Sequence, residues 1–168
     1  LTYKKPLIAV NHMIGHIYSN NLNTDFIFPS LILTISGGHT DLVLMEDHMK
    51  FKVLGSTLDD AVGECYDKVA RLINLDYPGG PKIDKLSKIG KHTYDLPKPL
   101  QDDSCNFSFS GLKSSVLNLV NKEKMKNNTI IKEDLANSFQ ETVKEIFYNK
   151  INQALKKYKV KAIYLAGG

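Results

Sequence analysis

Apolar and polar positions along this 168-residue chain fall into short blocks whose period changes partway along. A compact apolar block, LIAV at Leu7–Val10, predicts a short buried strand. Asn11 then stands where an N-cap belongs, so a helix is expected from there to about Asn20. The polar NNLNTD loop, closed by Pro29, leads to SLILTIS (Ser30–Ser36), a strand followed by the tight turn GGHT. TDLVLME and MKFKVLGS show partial period-two alternation and are joined by the polar EDHMK. The three strands together predict an antiparallel meander.

Beyond residue 56 the period becomes helical. TLDDAVGECYDKVARLINL opens on Thr57 with acids at Asp59 and Asp60, which favour a helix N-terminus. Val62, Cys65, Val69, Leu72 and Ile73 form its apolar stripe. DYPGGPKIDKLSKIG reads as a glycine-rich loop feeding a short helix, with Pro81 in the first turn and Gly90 as the stop. A polar loop is expected from Lys91 to about Cys105, then a brief extended piece and a helix over NFSFSGLKSSVLNLV, then a solvated turn at KEKMKNNT. Ile130 to Tyr158 is one long amphipathic stretch with Ile131, Leu135, Phe139, Val143, Ile146, Phe147, Ile151 and Leu155 on its stripe and Glu133, Asp134, Glu141, Lys144 and Glu145 on a solvated face. VKAIYLA closes as a strand. Strands, then helices, then a strand with a glycine turn imply an α/β layered fold.

Composition narrows the class without naming a function. Hydrophobic residues make up 42% and charged residues 24% of the chain, the balance of an ordinary globular domain. No apolar run approaches the roughly 18 residues of a membrane span, and the N-terminus has no apolar core of signal-peptide length. Cys65 and Cys105 have no CxxC spacing and no disulfide framework, which predicts plain reduced cysteines and a cytoplasmic setting. The net charge of +4 permits nucleic-acid contact. Arg71 is the only arginine, so any nucleic acid would be held mostly by lysine charge or by another subunit. The opening on Leu1 and the closing strand with two glycines read as a piece of a longer protein.

Four features bear candidate chemistry. His12 and His16 are four apart in the first expected helix. That puts both imidazoles on one face, about 5–6 Å apart at Cβ, as two ligands of one metal or as two ordinary, partly buried histidines. No acid lies between them, so the HExxH chemistry of zinc peptidases is disfavoured. His48 and His92 sit in polar loops and are expected to be solvated. In SGGHT, two glycines after a buried strand permit positive φ and close backbone approach, and the turn reads either as an anion-binding concavity or as a plain hairpin. Gly79 and Gly80 precede a helix start and Asp84 falls in its first turn, an anion or hydroxyl site or else a Pro/Gly connector with a capping acid. Asp67 reads either as an i,i+4 partner of Arg71 or as a group reaching a ligand on the glycine turn.

Taken in order, NHMIGH, ISGGHTDL, LGSTLDDAVGECYDKVARLINLDYPGGPKID, FSFSGLKSSV and YLAGG closely resemble the bacterial tRNA threonylcarbamoyladenosine transferase family, formerly called O-sialoglycoprotein endopeptidase or glycoprotease. The resemblance implies an actin/Hsp70/sugar-kinase-like α/β fold of two related lobes. Residues 1–29 would be the C-terminal part of the first lobe with the metal-binding helix, and residues 30–168 a second lobe truncated at its final glycine motif. It also implies transfer of a threonylcarbamoyl group from threonylcarbamoyl-adenylate to the exocyclic amine of the adenosine 3′ of a tRNA anticodon. His12 and His16 would ligate one iron or zinc ion, completed by an aspartate beyond Gly168. Ile35, Ser36, Gly37, Gly38, His39, Asp67, Gly80 and Asp84 would contact substrate. Implied partners are tRNA, a catalytically inactive paralogue and a small ATPase, with no membrane. Ile14 stands where the family often has an acid. Two other classes remain in view. One is an ATP-dependent kinase or ATPase of the same fold superfamily, which would not need the histidine pair; the other is a fragment that only binds partners.

Overall fold

The computed structural model describes residue 3 and residues 5–167; Leu1 and Gly168, on which the reading of the chain's two ends rested, lie outside them. Three strands form the expected antiparallel meander: β1 (Ser30–Ile35), β2 (Thr40–Asp47) and β3 (Lys50–Ser56). The final strand, β4 (Ala162–Gly167), returns beside β1 in parallel, so the sheet order is β3-β2-β1-β4. The α/β class read from the sequence holds.

One face of the sheet carries the helices. These are α2 (Val62–Leu72), α3 (Gly79–Ser87), α4 (Ser110–Met125) and α5 (Lys132–Lys157). Leu31, Leu33 and Leu42 of the sheet pack into a continuous core with Val69, Ile83, Phe107, Phe109, Leu112 and Phe139. Phe139 stands edge-on to Tyr66 with ring centroids 4.8 Å apart. Cys65 and Cys105 are both buried and free, as expected. Burial pushes the Cys65 thiol up to about 12, which keeps it an inert core group.

The opposite face is thinner. The short helix α1 (His12–Tyr18), continued by a 3-10 turn over Ser19–Leu22, lays Ile17 onto it. Ile17, Phe26, Ile32, Val43 and Met45 form a separate small cluster, rimmed by Tyr18, Phe28, Phe51 and Tyr164. Asn11 caps α1 as read from the sequence: its side-chain oxygen accepts from the Met13 and Ile14 N–H groups at 3.0 and 3.1 Å.

Several expectations fail for tertiary reasons. Residues 7–10 are not a strand; Leu7, Ile8 and Val10 are exposed and have no ladder partner among the described residues. A strand forms only against a neighbour, and apolar content alone does not supply one. The helix expected from Thr57 starts at Val62 instead. Thr57–Asp60 is drawn into a crossing in which Thr57 bridges Phe107 in parallel and the Leu58 N–H donates to the Phe107 carbonyl at 2.9 Å. Helix α4 runs on through KEKM to Met125, so the solvated turn begins only at Lys126. Asn74 and Asn127, at φ 57° and 56°, follow the last residues of α2 and α4 in the left-handed conformation that closes helices. On α5 the buried part of the stripe is Leu135, Phe139, Val143 and Ile146, whereas Ile131 and Leu155 are exposed. Three acids of its supposedly solvated face have partners: Asp134 accepts from the Lys91 N–H at 2.8 Å, Glu141 accepts from Lys144 at 2.6 Å, and Glu145 pairs with Lys98.

Candidate functional site

The meander brings the first two motifs together. On α1 the His12 and His16 rings are edge-on with centroids 4.5 Å apart, and their Nε2 atoms converge to 3.0 Å. Two ligands about 2.1 Å from a shared ion, at angles between a right angle and the tetrahedral value, sit about 3–3.4 Å apart. The pair therefore fits two positions of one metal site. Among the described residues no third His, Cys, Asp or Glu completes a ligating group. His39 of the SGGHT turn is the nearest further imidazole, its ring centroid 6.4 Å from that of His12.

SGGHT is the hairpin turn between β1 and β2. Its internal bonds are few: the Ser36 N–H donates to the His39 carbonyl at 2.9 Å and the His39 N–H to the Ser36 hydroxyl at 3.1 Å. The Gly37 and Gly38 N–H groups take no part in them. Neither glycine adopts a positive φ, contrary to the conformational reason inferred from sequence. What they provide is access, since a Cβ on either would meet no atom within 4 Å. Ile35 and Ser36 are half-buried at the base of the turn, and Gly37, Gly38 and His39 are exposed.

The start of α2 abuts this turn. Ala61, which precedes α2, offers no side-chain cap; the Thr40 Oγ1 instead accepts from the Val62 N–H at 3.0 Å and so caps α2 across 22 residues. A Cβ on Gly63 would fall 2.8 Å from the Ser36 carbonyl oxygen and 2.9 Å from the Gly37 Cα. Glycine is needed there for the positive end of α2 to approach the turn. At the same end of the sheet, Gly167 (φ 125°) lies opposite Ile35, where a Cβ would overlap the Ile35 carbonyl. The C-terminal ends of the parallel pair β1 and β4 thus open side by side, the crevice where ligands of open α/β sheets bind.

Asp67 does not pair with Arg71. Its Oδ1 accepts from the Gly79 N–H at 2.7 Å, so it ties the middle of α2 to the first residue of α3. Gly79 and Gly80 are the first two helical residues rather than a preceding loop. Gly79 is packed tightly, its Cβ position 2.5 Å from the Ala70 Cβ, whereas Gly80 faces open space. Asp84, half-buried on α3, accepts from Lys88 at 2.7 Å and from Gln140 at 3.3 Å. Those two bonds, Lys88 first, hold its carboxyl below the usual range. His48 is exposed in the β2–β3 turn but not free of contact: its Nδ1 lies 3.3 Å from the Tyr18 hydroxyl. His92 is exposed, as expected.

Asp59 is a residue whose role the sequence did not show. It was read as a favourable charge at the start of α2. It instead anchors the start of α4, accepting from the Ser108 hydroxyl (2.6 Å), the Phe109 N–H (2.8 Å) and the Ser110 hydroxyl and N–H (2.7 and 3.2 Å). Partial burial works against its charge, but those four donors prevail and hold the carboxyl below its ordinary value. The only trace of this in the sequence is the SxS spacing of FSFS, which names no acid.

Comparison with known proteins agrees with the motifs. The family model described as TsaD, tRNA N6-adenosine threonylcarbamoyltransferase, matches residues 1–168. A tRNA N6-adenosine threonylcarbamoyltransferase of Staphylococcus haemolyticus is 54% identical over 167 residues, covering 99% of this chain and 49% of that protein. One from Aster yellows witches'-broom phytoplasma is 53% identical over 168 residues, with 61% of its length covered. Component A of the (R)-2-hydroxyglutaryl-CoA dehydratase of Acidaminococcus fermentans superposes at 14% identity with a TM-score of 0.46, over 82% of this chain and 46% of that one. The chain spans about half the length of the staphylococcal relatives it matches. It belongs to the TsaD family of tRNA N6-adenosine threonylcarbamoyltransferases.

Proposed function

We propose that this chain forms part of an acyltransferase that moves a threonylcarbamoyl group from threonylcarbamoyl-adenylate to the exocyclic amine of the adenosine 3′ of a tRNA anticodon. Carrying the proposal is the juxtaposition, in a chain matched end to end by the family model, of a converging histidine pair with an open glycine turn. The amine nitrogen attacks the carbamoyl carbonyl carbon, the bond from that carbon to the phosphate oxygen breaks, AMP departs, and the amine gives up a proton. Gly37 and Gly38 offer backbone N–H groups to the charge that develops on the oxygens during this step. Gly63 lets the positive end of α2 support the turn from behind. Asp67, already committed to the Gly79 N–H through Oδ1, keeps Oδ2 for a hydroxyl of the ribose or the threonyl group. Asp84 and Gly80 line the same side of α3.

His12 and His16 would supply two imidazole ligands to an iron or zinc ion, which, when bound, polarises a carbonyl or phosphoryl oxygen as a Lewis acid. An aspartate outside this chain would complete the set, so the 168-residue chain alone should hold metal weakly. In this reading the protein works in the cytoplasm with an inactive paralogue and a small ATPase; no described helix is long and apolar enough to cross a membrane.

The test is to incubate the full-length protein with tRNA, threonylcarbamoyl-adenylate and a divalent metal, then analyse the nucleosides. Threonylcarbamoyladenosine is expected, and its loss on His16→Ala with an intact fold. Phosphotransfer without modified adenosine would overturn the proposal in favour of a kinase or ATPase.

A further inference from the structure

The histidine pair rides on a helix that cannot orient itself. Helix α1 has seven residues, far short of the roughly 12–15 that an isolated helix needs even to be marginal in water. Its pose is therefore set by what it is docked to. Ile17 supplies the apolar contact from beneath. On one flank the Tyr18 hydroxyl accepts from the Met49 N–H at 3.1 Å. On the other flank stands Asn20, in the 3-10 turn that continues α1. Its Nδ2 donates both to the Ile17 carbonyl in the last turn of α1, at 3.2 Å, and to the Leu165 carbonyl of β4, at 3.1 Å.

Leu165 lies two residues before Gly167, and Gly167 is level with Ile35, where the SGGHT turn leaves β1. One amide group thus joins the helix that carries His12 and His16 to the strand whose end flanks the candidate crevice. We propose that Asn20 is the positioning residue that fixes the histidine pair relative to the end of β4 and the SGGHT turn. The inference rests on the metal-site reading given above.

The placement argues for more than fold stability. The bond to Leu165 is solvent-exposed, so water replaces it at little cost to folding. The 3.0 Å convergence of the two Nε2 atoms is internal to α1 and survives loss of the tie. What changes is the pose of the pair towards every group outside α1, including His39 and any donor that follows β4. Partners that orient ligands without touching the metal typically contribute about 10–100-fold in affinity.

Cobalt(II) titration of the full-length protein, followed by visible absorption, reads this directly. Asn20→Ala should weaken cobalt binding about tenfold and alter the absorption band. The melting temperature of the metal-free protein should move by less than about 2 °C, the response to a fraction of a kcal/mol. Asn20→Gln, which keeps the amide donor, should recover part of the affinity. Should Asn20→Ala fail to fold, Asn20→Asp, of equal size without the donors, is read in the same way. Wild-type affinity and spectrum in the donorless variant overturn the role of Asn20. Absence of cobalt binding by the wild-type protein overturns the histidine site itself, a distinct result.

Discussion

The two faces of the sheet differ in depth. On one, four helices bury Leu31, Leu33 and Leu42 under Phe107, Phe109 and Phe139, all nearly or fully inaccessible. On the other, a two-turn helix and its 3-10 continuation cover only Ile32, Val43 and Met45, with Ile17 and Phe26 as the lid. The histidine pair sits on the thin face. The thick face holds the domain together, while the thin one presents a short element whose pose depends on a few contacts. The SGGHT turn lies between them, braced by α2 from the thick side and overlooked by α1 from the thin side.

Substitutions of matched kind on the two faces test this contrast. Phe139→Ala removes a fully buried ring that contacts Tyr66, and should cost about 3–5 kcal/mol by denaturant titration, enough to unfold a marginal domain. Ile17→Ala should cost about 2 kcal/mol, at the low end for such truncations, because a shallow cluster relaxes into the space. Hydrogen exchange of the α1 amides should rise while that of α5 stays protected. Equal losses at the two positions would break the contrast between the faces.

A smaller effect is expected at Asp59, on the thick side. Asp59→Asn keeps the shape but weakens four charge-assisted bonds at the start of α4, and should cost about 1 kcal/mol near neutral pH. Because the folded carboxyl titrates below its unfolded value, its contribution is fully present above the unfolded pKa of about 3.9 and is lost as pH falls through the folded one. Stability curves of the wild type and Asp59→Asn should therefore converge below about pH 4. Parallel curves down to that pH would remove the charge from the anchor and leave only its hydrogen bonds.

The site was partly legible beforehand. The i,i+4 spacing of His12 and His16 dictated one shared face, and the structure closes it to a 3.0 Å approach. Asn11 was legible because a cap acts within three residues. Asp67 was left open between a bond to Arg71 and a ligand contact, and its bond to the Gly79 N–H was missed because that partner lies 12 residues on and across a loop. Asp59 was assigned to the wrong helix for the same reason, with donors about 50 residues away.

By itself, the sequence determined what acts within a turn of helix or along one strand: the meander's alternation, the stripe of α5, the Asn11 cap and the histidine spacing. Tertiary structure alone decided where α2 begins, through the Thr40 hydroxyl. It also left residues 7–10 without a ladder, made Gly63 and Gly167 obligatory through close approach, and tied α1 to β4 through Asn20. Periodicity and propensity are local, extending about four residues along the chain. Capping in trans, strand pairing and steric approach join groups that only folding brings together, and no local pattern encodes them.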